Sequence, residues 1–136
     1  MKNNRGQTLI LFIFILPIII SLFLLIINYG FFSNEKLKIK NNIKMAIEYG
    51  LKLKMENDVD SDDYLNNQEI KSKIEYLLQQ NISCDTLDVI VNDNSIMINI
   101  TKKYDSFMNA FIFFKTDIDL KFYGTINNGQ IMIERR

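Results

Sequence analysis

Leu9–Ile27 reads LILFIFILPIIISLFLLII, nineteen residues without a charge, interrupted only by Pro17 and Ser21. At about 1.5 Å per helical residue it reaches roughly 28 Å, the hydrocarbon thickness of a bilayer. A small water-soluble domain has no interior able to bury such a rod on every side. Lipid does, and a helix satisfies its own backbone hydrogen bonds there. The stretch therefore predicts a membrane helix.

The flanks support an anchor. Met1–Thr8 (MKNNRGQT) is made basic by Lys2 and Arg5, and Gly6 stands just before the apolar run. A secretory signal has a shorter apolar core and a small-residue cleavage site behind it. Here Asn28-Tyr29-Gly30-Phe31-Phe32 follows, and Tyr29, Phe31 and Phe32 read as an aromatic belt at the membrane surface. Charge does not set the orientation. Lys2, Arg5 and the α-amino group lie on one side, and Lys36, Lys38 and Lys40, opposed by Glu35, on the other.

Composition narrows the chemistry. The chain has 136 residues and a formal net charge of zero, which gives no electrostatic footprint for nucleic acid. Cys84 is the single cysteine, excluding an intramolecular disulfide and any multi-cysteine metal site. Histidine is absent, and with it the commonest general base and zinc ligand. No nucleotide-binding loop and no Gly-x-Ser-x-Gly elbow occurs. Asp117 and Asp119, two residues apart, share the polar face of a strand, which explains them without catalysis. The expectation is a protein that is not an enzyme.

Beyond the apolar run, Asn34 to Glu56 is helical in pattern. Ile39, Ile43, Ala46, Ile47 and Gly50 form one stripe, with Lys36, Lys40, Lys44 and Lys52 mostly off it. The membrane helix continues into this stalk, loosened at Asn28–Gly30. The stripe packs either on the chain's own globular domain or on a partner helix. Next comes Asp58–Glu69, DVDSDDYLNNQE. Asp58, Asp60, Asp62, Asn66 and Glu69 fall at oxygen-ligand positions of a twelve-residue calcium loop, with Tyr64 at its backbone-carbonyl position. Asp63 stands where the sharp turn wants glycine. The alternative is a solvated linker whose acids favour the dipole of the next helix.

The last part reads α+β. Asn67–Gln80 predicts a short amphipathic helix with Ile70, Ile74, Leu77 and Leu78 on one face. Leu87, Val89 and Val91 alternate with polar positions, Asn92–Ser95 is turn chemistry, and Ile96, Ile98 and Ile100 resume the alternation, a hairpin. Tyr104–Lys115, with Phe107, Ala110, Phe111 and Phe114 at helical spacing, predicts a short helix or helical turn. Ile118, Leu120 and Phe122 make a third strand, Asn127-Asn128-Gly129 a turn, and Gln130–Glu134 a fourth strand or a weak pairing. The fold class is α+β: a long N-terminal membrane helix continuing into a stalk, then a short helix and a three- to four-stranded antiparallel sheet. The divisions are a basic leader at 1–8, a transmembrane helix at 9–30, a stalk at 31–56 and a small extracytoplasmic domain at 57–136.

Arg5-Gly6-Gln7-Thr8-Leu9-Ile10 resembles the leader of type IV pilin-like proteins, in which a membrane peptidase cuts after the glycine. The resemblance implies Gly6 as the cleavage residue, Gln7 as the new N-terminus and an N-terminus facing the cytoplasm. Those proteins usually carry glutamate at the fifth mature position, where this chain has Leu11. Gly6, Pro17, Asn28, Gly30, Leu37, Asn41, Asn42 and Ala46 follow an order similar to that of TadE/TadG-like pilus-assembly proteins, and Tyr104 matches the start of their aromatic crossover. It implies a non-enzymatic pilin-like component of a bacterial Tad/Flp-type pilus or related secretion apparatus, a minor, tip or initiating subunit. Leu11 and Pro17 would act in helix assembly. The implied partners are the bilayer, other pilin-like subunits or assembly machinery, and a prepilin peptidase. The other function class is a membrane-anchored extracytoplasmic binding module that uses the calcium loop.

Overall fold

A computed structural model describes residues 5–57, 66–104 and 117–135. Their order is α1 (Arg5–Asn57), α2 (Asn67–Asn81), β1 (Thr86–Asn92), β2 (Ser95–Lys103), β3 (Asp117–Asn127) and β4 (Gln130–Arg135). The four strands form one antiparallel sheet in the order β1-β2-β3-β4. The α+β class expected from sequence is the one observed. Tyr104–Lys115 falls outside the described residues apart from Tyr104, which follows the end of β2.

By contacts the chain divides after Asn34 into two compact units. The first holds the apolar part of α1. The second runs from Glu35 and has a core of its own. Ile39, Ile43, Ala46, Ile47 and Leu51 of α1 are buried there, with Ile70, Ile74 and Leu78 of α2. They meet Val89 of β1, Ile96, Ile98 and Ile100 of β2, and Ile118, Leu120 and Phe122 of β3, all buried. The stalk stripe thus packs on the chain's own sheet and on α2. Leu77 is only half-buried, so the buried face of α2 is narrower than its sequence spacing implied.

The contacts along α1 fix its direction. Glu35 meets Lys102 near the end of β2, Gly50 faces Ile96 near its start, and Lys54 meets the β1–β2 turn. Within this unit α1 therefore runs antiparallel to β2 and in the direction of β1 and β3. Two glycines allow the close approach. A Cβ on Gly124 of β3 would press into Ile47 and lie 3.1 Å from Leu51 Cδ1. One on Gly50 would lie 2.6 Å from the Cδ1 atoms of both Ile74 and Ile96.

The turns follow their chemistry. Asp93-Asn94 closes the first hairpin through the pair Asn92–Ser95. Asn128 (φ 50°) and Gly129 (φ 74°) close the second with positive φ at both central positions, the type I′ geometry that Asn-Gly favours. The fourth strand is complete, and β3 reaches Asn127, five residues beyond Phe122. The expected loosening at Asn28–Gly30 is absent, since α1 passes through these residues as one helix. An isolated glycine costs a helix only about 1 kcal/mol, which adjoining turns easily offset.

Candidate membrane helix and surface sites

In the first unit every residue from Leu9 to Ile27 is exposed. Among the described residues none covers this helix. It is long and apolar enough to cross a membrane, a test that an N-terminal signal sequence also passes. Pro17 lies inside it, and Ser21 Oγ donates to the carbonyl of Ile18 at 2.8 Å, satisfying the hydroxyl within the helix. Gly6 and Gln7 lie in the first turns, Gly6 exposed, and Leu11 and Pro17 are exposed farther along. Gly6 and Leu11 are therefore accessible, and among the described residues no partner is brought to either.

Of the residues nominated for a calcium loop, Asp58, Asp60, Asp62 and Tyr64 lie outside the described residues. The other two serve the start of α2. The Asn66 N–H donates to Glu69 Oε2 at 3.2 Å, and the Asn66 carbonyl accepts from the N–H groups of Glu69 (2.9 Å) and Ile70 (3.1 Å). Glu69 thus closes the carboxylate half of a capping box. Among the described residues no group of three or more acidic, histidine or cysteine side chains is placed to hold a metal.

Two lysines, unremarked in sequence, organise the second unit. Lys54 is buried, and its Nζ donates to Asn67 Oδ1 at 2.7 Å, to the carbonyl of Asp93 at 3.1 Å and to the carbonyl of Asn92. Asn67 Nδ2 in turn donates to Asp93 Oδ1 at 3.1 Å. One ammonium thereby ties the end of α1, the start of α2 and the first hairpin turn. Its neighbours in sequence carry no signal of this. Lys102 does carry one: it continues the core-facing parity of Ile96, Ile98 and Ile100. Its Nζ meets Glu35 Oε1 at 2.6 Å and Ser83 Oγ at 2.9 Å, joining α1, β2 and the α2–β1 connection.

Cys84 sits half-buried beside this cluster. Burial pushes its thiol pKa up, the charge of Asp85 adds to that, and Lys102 pulls the other way. A protonated thiol is a poor nucleophile. Lys36, Lys38, Lys40 and Lys44 make no ion pair among the described residues.

The outer face of the sheet is mixed. Ile90, Met97 and Tyr123 lie side by side with Glu134 opposite Tyr123, Met132 lies opposite Thr125, and farther along come Asp88, Asn99, Lys121, Asp119 and Asp117. Asn99 Oδ1, at its centre, is buried without a hydrogen-bond partner. On the other side of the unit, Asn42, Met45, Ala46 and Tyr49 of α1 and Leu77, Leu78 and Asn81 of α2 line a groove of about 360 Å³.

No known protein family, curated protein or solved structure matches the chain.

Proposed function

We propose that this chain is a non-enzymatic, pilin-like structural or assembly component of a bacterial Tad-type pilus or related secretion apparatus. It is held in the cytoplasmic membrane by α1, with the α+β unit outside. One observation carries the reading. A single helix is bare and apolar from Leu9 to Ile27, and its later face, from Ile39 to Leu51, is buried beneath a four-stranded antiparallel sheet. That architecture joins a rod that needs lipid to a domain that needs water.

The function that follows is mechanical. The rod is stored in the bilayer and can exchange lipid for the apolar interior of a helical assembly. Lipid is as apolar as leucine, so that exchange is governed by packing and not by hydrophobic transfer. Leu11, at the position where pilin-like proteins carry an acid, suits a minor or initiating subunit or an assembly factor that needs no buried ion pair.

The test combines N-terminal sequencing with protease accessibility. The full chain is expressed with a prepilin peptidase and extracted from membranes, and proteinase K is added to spheroplasts. The expected result is a chain beginning at Gln7 whose C-terminal unit is digested from outside. An intact Met1 leaves the unprocessed assembly factor and removes the processed subunit. A C-terminal unit protected until the membrane is lysed overturns the proposal.

A further inference from the structure

Three lysines crowd the stretch of α1 just past the aromatic residues Tyr29, Phe31 and Phe32. Lys36 follows Phe32 by four residues, so chain connectivity alone keeps their Cα atoms within about 14 Å. Lys38 and Lys40 come next, and at about 1.5 Å per helical residue all three fall within about 6 Å along α1. At about 100° per residue, Lys36 and Lys40 lie beside the buried stripe of Ile39, Ile43 and Ile47, and Lys38 lies across the helix from Lys36. Lys38 is exposed, and Lys36 and Lys40 are partly exposed.

Their charges are left over. None of the three makes an ion pair among the described residues. Glu35, the acid next to them in sequence, meets Lys102 at 2.6 Å. Glu48 stands four residues from both Lys44 and Lys52 and pairs with Lys52 at 2.8 Å. At the end of β2, the Lys103 N–H donates to Asp85 Oδ2 and Lys103 stands opposite Asp117. Lys102 and Lys103 thus have acids beside them, and the unbalanced positive charge at this end belongs to α1.

The spacing identifies what the charges meet. A partner helix touches one face, and the residues that meet it recur at i and i+4. Lysines at i, i+2 and i+4 instead put charge on opposite sides of the helix at nearly one height. A layer that surrounds the helix reaches all of them together. The headgroup region of a bilayer is such a layer, about 5–7 Å thick on each side. Flexible stems let each ammonium reach into it.

We propose that Lys36, Lys38 and Lys40 form a collar that binds the phosphate groups of anionic phospholipids where α1 leaves the bilayer. Each lysine near an anionic surface raises affinity about fivefold. Lys44 stands a further turn out, beyond the layer. The proposal rests on the membrane anchoring above and adds to it a preference among lipids.

The full chain is reconstituted in phosphatidylcholine vesicles containing about one third phosphatidylglycerol. Trace spin-labelled phosphatidylglycerol and phosphatidylcholine report which lipid borders the protein. The expected result is an association constant at least threefold higher for the anionic lipid. In 1 M salt, where screening acts within about 3 Å, the preference should disappear. The triple variant Lys36→Gln, Lys38→Gln, Lys40→Gln should lose at least half of it, with the denaturation midpoint unchanged. Lys2→Gln with Arg5→Gln, at the other end of the apolar stretch, should keep the collar's share, and Lys44→Gln should resemble the parent.

Four results would overturn the proposal. One is equal association of the two lipids with the parent. Another is a preference that survives the triple variant but vanishes with Lys2 and Arg5. A third is a preference that persists in 1 M salt, which also decides the matter should the triple variant not fold. The fourth is loss of the preference to inorganic phosphate at constant ionic strength, which would assign the lysines to the free ion. Failure of the anchoring looks different: the chain would float with neither anionic nor purely zwitterionic vesicles, and the collar would fall with it.

Discussion

A methyl group at Gly124 would press on Ile47 Cγ2, one branch of a β-branched residue in the middle of α1. Such a side chain has a single favoured rotamer in a helix and cannot swing aside. Gly124→Ala should cost about 1–3 kcal/mol by overpacking. Gly50→Ala presses hardest on the Cδ1 atoms of Ile74 and Ile96, the movable ends of their side chains, with Ile74 Cγ1 next at 3.3 Å, and it also gains about 1 kcal/mol of helix propensity. It should therefore destabilise less. Denaturant titration of the full chain in micelles measures both, and the reverse order would show that the helix–sheet contact is looser than described. Cys84 offers a test in pH. Its folded pKa is raised, chiefly by burial and then by Asp85, so the folded state holds the thiol proton more tightly than the unfolded chain. That contribution is complete below the ordinary thiol value of 9.0 and is lost as pH rises through the folded value. Native alkylation at pH 8.5 should be slower than in urea. Stability should also fall above pH 9 more steeply in the parent than in Cys84→Ser.

Lys54 binds three elements rather than one, and Lys54→Met isolates that role, because the stem is kept and the ammonium removed. Hydrogen bonds from a charged group contribute about 1.5–3 kcal/mol each when lost from a partly buried site. Exposed carbonyls at Asn92 and Asp93 can turn to water, so the whole loss should stay within about that range for one bond. Amide exchange should quicken together at the α2 start and the Asp93-Asn94 turn. Quickening at only one of them would mean that the lysine serves a single element. Elements differ in how plainly the sequence declares them. The stalk stripe, the α2 face and the first hairpin were legible because each buries one face, which imposes its period on the residues. β3 was legible only to Phe122: Gly124 breaks the apolar alternation where α1 presses closest, so packing demanded the residue that reads as a strand breaker. Glu69 was legible as an oxygen ligand, yet the same spacing, three residues after Asn66, also builds the capping box it occupies. The Lys54 cluster was not legible at all, since its acceptors are an amide side chain and two backbone carbonyls brought together only by the fold.

At the scale of the whole molecule, one helix has two unlike parts. None of the residues from Leu9 to Ile27 is buried by protein, while the unit from Glu35 onward has its own helix–sheet core. The fate of the first part should then be separable from the folding of the second. Ile19→Arg places a charge near the midpoint of the apolar stretch. An arginine there costs about 2.5–3.5 kcal/mol on insertion scales, enough to move a single-pass chain out of the membrane by about two orders of magnitude in partition. Carbonate extraction should recover the parent in the pellet and a larger fraction of the variant outside it. The denaturation midpoint of the α+β unit should be unchanged, because Ile19 touches none of its core. Lys44→Glu, an exposed change on the stalk, should alter neither readout. Retention of Ile19→Arg equal to that of the parent would mean that the rod is covered by protein partners and not by lipid. A fall in the midpoint would mean that the two halves of α1 are one cooperative body and that extraction from the membrane is felt by the sheet.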